Sequence, residues 1–470
     1  MEAAMRKWLP LFAACLGTLM LLIDVTIVYV ALPDIAADLG TGLSGLQWIV
    51  DGYALALAAL LLVLGAVADR LGAKTVYLAG LAVFALASLA CGAAGSAAIL
   101  VLARVIQGVG GAAMFATTLS LLHATYTGRD RGIAFGAWGA VSGAAAGIGV
   151  VAGGALTDLL SWRWIFYVNL PIAAVAIALS AMAFPAPRRH PARGLDLPGM
   201  LTFAAAATCV TFGIIRGGEH GWSDAGTLTA FGSGLLAAAA FVLIEFRSAA
   251  AMFPMPLLRN RSFSATLIAA AGQTFAGFSA TPLLSLWLQQ ELHLSPLHAG
   301  LAMLPMAATA FVVSTLTGRL LHDAPAAWTV GAGLVVIGAG TGLFTLIDAG
   351  SPWTAILPGF IVLGIGVGIN APALVSTGMA AVSPQQGGIA AGAVNTARQL
   401  GLALGIAVLG TVFHHIAGDR PSLATFADGL DAAVLIAAAV GISFGLTAFA
   451  LYRQRLSELP ESRPASTLVG

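Results

Sequence analysis

Apolar segments of about 20 residues recur from one end of this chain to the other. A helix of that length crosses the roughly 30 Å hydrocarbon core of a bilayer. Only 9% of the residues are charged, against about 25% in an ordinary soluble domain. The sequence therefore predicts an all-α integral membrane protein with fourteen transmembrane helices. The predicted spans are 8–32, 45–68, 76–94, 97–122, 132–157, 163–184, 197–217, 226–246, 263–290, 297–320, 327–347, 353–375, 387–417 and 429–453.

The basic residues set the predicted orientation. They cluster at the N-terminus, in alternate loops and after the last span, whereas the opposite loops hold only Arg163, Arg216 and Arg420. By the positive-inside rule both termini lie in the cytoplasm, which requires an even number of helices. The net charge of +1 does not suggest a nucleic-acid partner, and three scattered cysteines suggest neither a disulfide framework nor a metal site.

Two polar connections divide the chain. Residues 186–196 and 247–262 bracket the seventh and eighth spans, so that six spans precede this pair and six follow it. Residues 318–323 are weakly similar in sequence to residues 65–70. This similarity is consistent with two related halves, as in many transporters. The predicted domains are 1–185, an N-terminal six-helix bundle; 186–262, a linker with two inserted helices; and 263–470, a C-terminal six-helix bundle with a cytoplasmic tail.

Ionisable residues within the spans are the main functional candidates. Asp24 lies deep in the first span, where an ionised carboxylate costs about 2.5–3.5 kcal/mol on insertion scales and normally faces a partner or a watery cavity. Arg104 lies within the fourth span, and either reaches toward the external side or pairs with Asp24, which we favour. Asp51, early in the second span, is compatible both with simple solvation near the outer interface and with a functional role.

Two glycine-containing stretches stand out. The loop after the second span combines glycines with charges, so it is either a latch between moving halves or an ordinary loop that sets topology. Its candidate residues are Gly65, Asp69, Arg70, Gly72 and Lys74. In the fifth span, small residues at short spacing allow close helix approach, a signal of low specificity. The residues singled out there are Gly149, Gly153 and Gly154.

Uncharged polar side chains and one further arginine mark a possible cavity. The densest cluster, 395–399, equally fits a position near the cytoplasmic mouth of the thirteenth span. There is no nucleotide-binding lysine loop, HExxH or GxSxG motif to indicate a soluble enzyme. The candidate cavity residues are Tyr29, Gln107, Gln273, Asn370, Asn395, Arg398 and Gln399.

Taken together, these stretches resemble the major facilitator superfamily, in particular its fourteen-helix drug/proton antiporter branch. The resemblance implies two six-helix bundles with two extra helices between them. Tyr29 stands where the family usually has Asn, Ala73 where it has a base, and Val150 where the antiporter motif has Pro, which leaves the direction of transport open. The matching stretches are 24–33, 65–74, 104–110, 149–154, 161–172, 287–305 and 395–399.

The resemblance also implies a function and a mechanism. We expect proton-coupled export of drugs, antibiotics or other small amphipathic compounds by alternating access, with no enzymatic activity and no cofactor besides the proton-motive force. Asp24 would carry the proton with its affinity tuned by Arg104, and Asp51 resembles the second-helix acid of exporters of lipophilic cations. The expected location is the plasma (inner) membrane, and the expected partners are the substrate, protons and lipid, with a monomer sufficing.

Two other functions fit parts of the sequence. A proton-coupled importer or facilitator of a small metabolite would use the same fold, because fold alone does not fix function. A membrane-embedded enzyme or lipid-handling protein is more remote, since it needs a catalytic cluster at membrane depth. The sequence offers only the scattered His123, His414 and His415.

Overall fold

A computed structural model describes residues 2–184, 196–248, 251, 253, 255–320, 324–348, 350–382, 387–418 and 422–458, apart from some side chains within the helices. These residues form fourteen long helical segments and a short 3-10 helix, Met255–Arg259. The long segments are α1 Glu2–Leu39, α2 Leu43–Leu71, α3 Ala73–Gly92, α4 Ala97–Thr125, α5 Gly128–Leu159, α6 Trp164–Ala183, α7 Leu197–His220, α8 Ala225–Arg247, α9 Arg261–Glu291, α10 Pro296–Leu320, α11 Ala327–Leu346, α12 Trp353–Ala380, α13 Gly387–Ala417 and α14 Leu423–Glu458.

The prediction of a multi-pass helical membrane protein is confirmed. Within the described residues, thirteen of these segments are long and apolar enough to span a bilayer. The remaining one, α5, is 32 residues long and contributes a shorter apolar stretch, Gly147–Leu159. Fourteen helices therefore fit the predicted number, although most extend several residues beyond the spans read from hydropathy.

Two of the helices in the second half are irregular. In α9, the regular helix ends at Phe278 and resumes at Thr281, next to Pro282. Proline has no N–H to donate and its ring clashes with the preceding turn, which accounts for an interruption at this point. The C-terminal end of α9, Trp287–Glu291, and the first turns of α11, Ala327–Ala332, are π-helical, a geometry that is frequent at functional sites.

The inserted helices α7 and α8 form a hairpin on the outside of the molecule. α8 packs on α7, and α7 packs on both α2 and α13, thereby covering one seam between the two bundles. Asp224 caps the start of α8 by accepting from Thr227 N at 3.0 Å, and also accepts from Arg216 Nε at 2.8 Å. These hydrogen bonds, led by the one from Arg216, lower the pKa of the Asp224 carboxyl below its usual range.

The two bundles meet along α5–α10 and α2–α13. Three hydrogen bonds between them are found within the described residues, all near the end of the molecule that carries the α1–α2, α5–α6 and α9–α10 connections. They run from Gln47 Nε2 to the Ile406 carbonyl (3.2 Å), from Gln289 Nε2 to the Val30 carbonyl (2.8 Å), and from Ser295 Oγ to Asp158 Oδ2 (3.2 Å). The bundles are thus joined at this end, while the residue limits of the three domains stay a prediction.

Candidate functional site

A buried ion pair joins α1 to α4. Asp24 and Arg104 are 0% and 1% exposed, and Arg104 Nη1 lies 2.5 Å from Asp24 Oδ2. Arg104 Nε donates to the Ile49 carbonyl at 3.2 Å, and the guanidinium lies over the Tyr53 ring, 4.2 Å from its centroid. The contact with the ring adds a cation–π attraction that holds the arginine in place. The structure therefore brings the two main charged candidates into direct contact.

The second oxygen of Asp24 is held by two amides. Gln107 Nε2 and Asn169 Nδ2 each donate to Asp24 Oδ1 at 2.8 Å, and Gln107 Oε1 accepts from Arg104 Nη1 at 2.7 Å. Both amides also donate to the Ser88 hydroxyl, at 2.9 and 3.3 Å. A buried charge is tolerated only when it is paired and hydrogen-bonded, and this network from α1, α3, α4 and α6 provides both conditions.

This network can respond to a single proton. Arg104 stays protonated in any protein environment, so a proton added to Asp24 leaves the arginine charge without its partner. The ion pair and its hydrogen bonds to Gln107 and Asn169 would then rearrange, because a protonated carboxyl is a donor as well as an acceptor. A proton on Asp24 would therefore disturb hydrogen bonds that join four helices of the N-terminal bundle.

Asp51, unlike Asp24, is a buried carboxyl group without a hydrogen-bond partner among the described residues. It is 0% exposed, and neither of its carboxyl oxygens has a hydrogen-bond partner within the described part of the chain. Tyr29, close enough for an electrostatic interaction, is also buried, and its hydroxyl is without a partner among the described residues. The structure thus places Asp51 away from solvent and, within the described residues, without a hydrogen bond to the Asp24–Arg104 pair.

The connection after α2 depends on one glycine and one lysine. Gly72 has a φ of +91°, which favours glycine, and it ends α2 and begins α3 in a single residue. Lys74 Nζ donates to the carbonyls of Ala181 and Phe184, both at 2.7 Å. These carbonyls lie at the C-terminal end of α6, where a positive charge is favourable. Lys74 therefore ties the start of α3 to the end of α6.

The other candidates in this connection have less defined roles. A Cβ at Gly65 would meet nothing within 4 Å, so packing does not require a glycine there. Arg70 is partly buried, in the last turn of α2. Asp69 belongs to the same turn, but its side chain lies outside the described residues.

The glycines of α5 let two neighbouring helices approach it closely. A Cβ at Gly149 would lie 2.9 Å from the Ile23 carbonyl oxygen, and one at Gly153 would lie 2.5 Å from the Ile27 carbonyl oxygen. Real Cβ contacts are not found at such distances. Gly154 faces the other bundle instead, against the Pro296 backbone at the start of α10. The α5 glycines thus pack against α1 on either side of Asp24 and against α10.

The C-terminal candidates separate into two groups. Gln273 and Asn370 are fully buried within the bundle; Asn370 Nδ2 donates to the Val330 carbonyl at 2.7 Å, while both amide atoms of Gln273 lack a partner among the described residues. Only the second group is partly exposed, along α13. Its members are Asn395, Arg398 and Gln399.

Two small cavities lie between the bundles. One is lined by Gln47, Ser279 and Ile406 among others, and the second by Tyr29 and Met303 among others. Each has a volume of about 20 Å³, enough for about one water molecule. Because a drug-sized ligand needs several hundred Å³, neither cavity holds one unless the bundles separate.

Sequence reasoning missed several members of the network. Asn169 and Ser88 contact Asp24 or its amide partners, and Tyr53 supports Arg104. Asn169 falls within the stretch 161–172 that resembles the antiporter branch, so its presence in a family motif was the available signal. Nothing comparable marks Ser88, since a serine is ordinary in a membrane helix.

Comparison with known proteins agrees with this architecture. The chain matches the description "Major Facilitator Superfamily" over residues 14–406. It is 34% identical to the methylenomycin A resistance protein of Streptomyces coelicolor, over 97% of this chain and 93% of that protein. It is 35% identical to the puromycin resistance protein of Streptomyces alboniger, over 98% and 94%. The crystal structure of a peptide transporter in complex with sulfate superposes with a TM-score of 0.70 at 12% identity, covering 95% of this chain and 94% of that one.

Proposed function

Because the chain belongs to the Major Facilitator Superfamily, we propose that it exports drugs, antibiotics or other small amphipathic compounds in exchange for protons. The observation that carries this proposal is the fully buried Asp24–Arg104 pair, in which one titratable carboxylate is held by three hydrogen-bond donors. The similarity to methylenomycin A and puromycin resistance proteins supports antibiotics as substrates.

In this proposal Asp24 is the proton carrier. Protonation from outside cancels the carboxylate charge, loosens the contact between α1 and α4 and favours release of substrate. Deprotonation on the inside restores the ion pair and substrate binding. Each charge moved down the membrane potential supplies about 2.3 kcal/mol per 100 mV, so no nucleotide and no enzymatic step is needed.

The proposed setting is the plasma (inner) membrane with both termini in the cytoplasm. The distribution of basic residues supports that orientation. The bundle contacts at Gln47 and Gln289 then lie on the external side. In that orientation the outer end is closed, and the site would open to the cytoplasm, from which an exporter takes its substrate.

Proton release from energised inside-out vesicles tests the proposal. A panel of lipophilic cations, neutral antibiotics and anionic metabolites is added while the internal pH is followed with a fluorescent dye. We expect at least one class to release protons in the wild type, and this release to be lost in Asp24→Asn. Asp38→Asn is the matched control, because Asp38 lies on the same helix but pairs with Arg163 in a half-exposed position.

A second variant separates loss of function from loss of fold. Asp24→Asn/Arg104→Gln removes both charges, so no uncompensated charge is left buried. A folded double variant that still exchanges protons for substrate would contradict the role of Asp24. Substrate uptake into whole cells, with no proton release for any class, would instead support an importer.

A further inference from the structure

Besides Arg104, the described part of the membrane spans contains Arg398. Unlike Arg104, this arginine has no acidic partner among the described residues. Arg398 is partly exposed, and its guanidinium makes no hydrogen bond or ion pair with any described residue. Its backbone carbonyl, in contrast, accepts from Thr274 Oγ1 at 2.5 Å. Arg104, by contrast, is fully engaged by Asp24 and Gln107. Arg398 is therefore the cation that is available to a ligand.

Arg398 lies on α13, the helix of the C-terminal bundle that packs against α2 of the other bundle. Residues three and four apart share a face of a helix, so Arg398 shares its face with Asn395 on one side and Leu402 on the other, and Ile406 lies one turn beyond Leu402. Leu402 and Ile406 are 6% and 4% exposed, and the Ile406 carbonyl accepts from Gln47 of the other bundle. At about 1.5 Å per residue, Arg398 lies about 12 Å along the helix axis from Ile406. It is therefore about 12 Å from the hydrogen bond between Gln47 and the Ile406 carbonyl.

Two helices pack against α13 close to Arg398. α13 packs against α9 near Arg398, since Gly401 meets the Ala271 backbone, and against α2 one turn further along, where Ala403 meets Ala54 and Leu55. Arg398 is also six residues, or about 9 Å, inside the apolar part of α13 that begins at Gly392.

An unpaired guanidinium at this depth is unfavourable. Insertion of arginine into a helix centre costs about 2.5–3.5 kcal/mol, and arginine cannot relieve that cost by losing its proton. Such residues face water or an anionic partner. Asn395 and Gln399 lie beside Arg398, are partly exposed and make no side-chain hydrogen bonds to described residues, so they add neutral donors and acceptors to the same patch.

We propose that Asn395, Arg398 and Gln399 form a subsite for an acidic group of the transported molecule, with Arg398 binding a carboxylate through two parallel hydrogen bonds. This arrangement suits guanidinium and carboxylate, whose geometries match. The inference rests on the proposed function for the direction of transport, and it narrows the substrate class to amphipathic compounds that carry one anionic group. Asp24 remains the proton carrier in the other bundle.

Matched pairs of ligands test this subsite. The full chain is reconstituted in nanodiscs of phosphatidylcholine, and binding of 2-naphthoate and 2-naphthamide, and of decanoate and decanamide, is measured by calorimetry at pH 7.5. We expect the wild type to bind at least one acid about tenfold or more tightly than its amide, in keeping with a charge-assisted bidentate contact. Arg398→Gln should remove this preference without changing amide binding, and Arg398→Lys should keep part of it.

The control is Arg453→Gln, which removes an exposed arginine at the end of α14 and should leave the preference unchanged. A wild type that binds no acid more tightly than its amide would overturn the subsite, as would an Arg398→Gln variant that weakens acid and amide equally. Proton exchange with neutral compounds is measured in the wild type and in the same variant. If the wild type exchanges protons for neutral compounds but binds no acid more tightly than its amide, the subsite is wrong and the proposed function stands; if Arg398→Gln loses only the acid preference and keeps this exchange, the subsite is supported.

Discussion

Asp24 and Arg104 carry opposite charges in a place where neither charge is stable alone. Both are essentially inaccessible to solvent, and each is the ion-pair partner of the other. Removing one partner of such a pair leaves an uncompensated buried charge, which costs roughly 3–5 kcal/mol. The two single substitutions nevertheless differ, because aspartate can take up a proton and arginine cannot give one up.

We therefore predict an unequal effect on stability. Asp24→Asn leaves Arg104 charged and should lower the free energy of unfolding by roughly 3–5 kcal/mol. Arg104→Gln should cost less, since Asp24 can become neutral. The double variant should be more stable than Asp24→Asn. Thermal unfolding in detergent, followed by light scattering at pH 7.5, ranks the three; equal melting temperatures for both single variants would contradict the argument.

The residues that could be predicted from the sequence are those whose charge is out of place in an apolar span. Asp24 and Arg104 stood out for that reason. Ser88 and Tyr53 could not be predicted, because small hydroxyl residues and aromatics are common in membrane helices. Their role depends on the rotation of α3 and α2 about their axes, which one sequence with no regular polar face does not define.

At the scale of the helix, the glycines of α5 control how closely α1 can approach. Gly149 and Gly153 face the Ile23 and Ile27 carbonyls, one on each side of Asp24 along α1. Side chains at these positions would push α1 away from α5 and change the position of Asp24 relative to Arg104. Small residues at such contacts are the usual means by which membrane helices pack closely.

Gly153→Ala tests this packing. The added Cβ would lie 2.5 Å from the Ile27 carbonyl oxygen, so the helices must separate, and we expect a lower melting temperature and at least a several-fold loss of transport. Gly232→Ala is the control, because Gly232 is an exposed position in α8 where a Cβ meets nothing within 4 Å. Alanine is intrinsically better than glycine in a helix by about 0.5–1 kcal/mol. The control should therefore be neutral or slightly stabilising, and an equal loss in both variants would be inconsistent with a packing role.

The number and order of helices were predictable because each apolar segment has to be long enough to cross the bilayer. The irregular parts were not. The interruption of α9 before Pro282 falls inside one apolar run, 263–290, so hydropathy treats it as continuous. The packing of α7 across the α2–α13 seam depends on contacts between distant segments, such as the Trp48 and Phe212 rings, which local patterns do not contain.

For the whole molecule, the two bundles are held at one end by a reciprocal pair of glutamines. Gln47 of the N-terminal bundle donates to the Ile406 carbonyl of the C-terminal bundle, and Gln289 of the C-terminal bundle donates to the Val30 carbonyl of the N-terminal one. Both are side chain-to-backbone bonds, so they add to closure of this end without depending on a charge. Opening this end requires both of these bonds to break, together with the one from Ser295 to Asp158.

Removing both donors should therefore favour the conformation that is open at this end. A typical hydrogen bond contributes about 1 kcal/mol, so Gln47→Ala/Gln289→Ala should shift the open-to-closed ratio by about 2 kcal/mol, or roughly 30-fold. Gln290→Ala is the matched control, since Gln290 is the exposed neighbour of Gln289 and makes no hydrogen bond to a described residue. The shift should be visible without any substrate.

The measurement is the rate at which a membrane-impermeant maleimide labels a cysteine at position 279 in right-side-out vesicles. Ser279 is 2% exposed and lines the small cavity beside Gln47, and the native Cys15, Cys91 and Cys209 are first replaced by alanine. In the closed molecule the reagent cannot reach position 279, so the labelling rate reports the open population. We expect faster labelling in the double glutamine variant and an unchanged rate with Gln290→Ala. A double variant that labels as slowly as the parent would mean that apolar packing along α2–α13 and α5–α10, and not these two bonds, keeps this end closed.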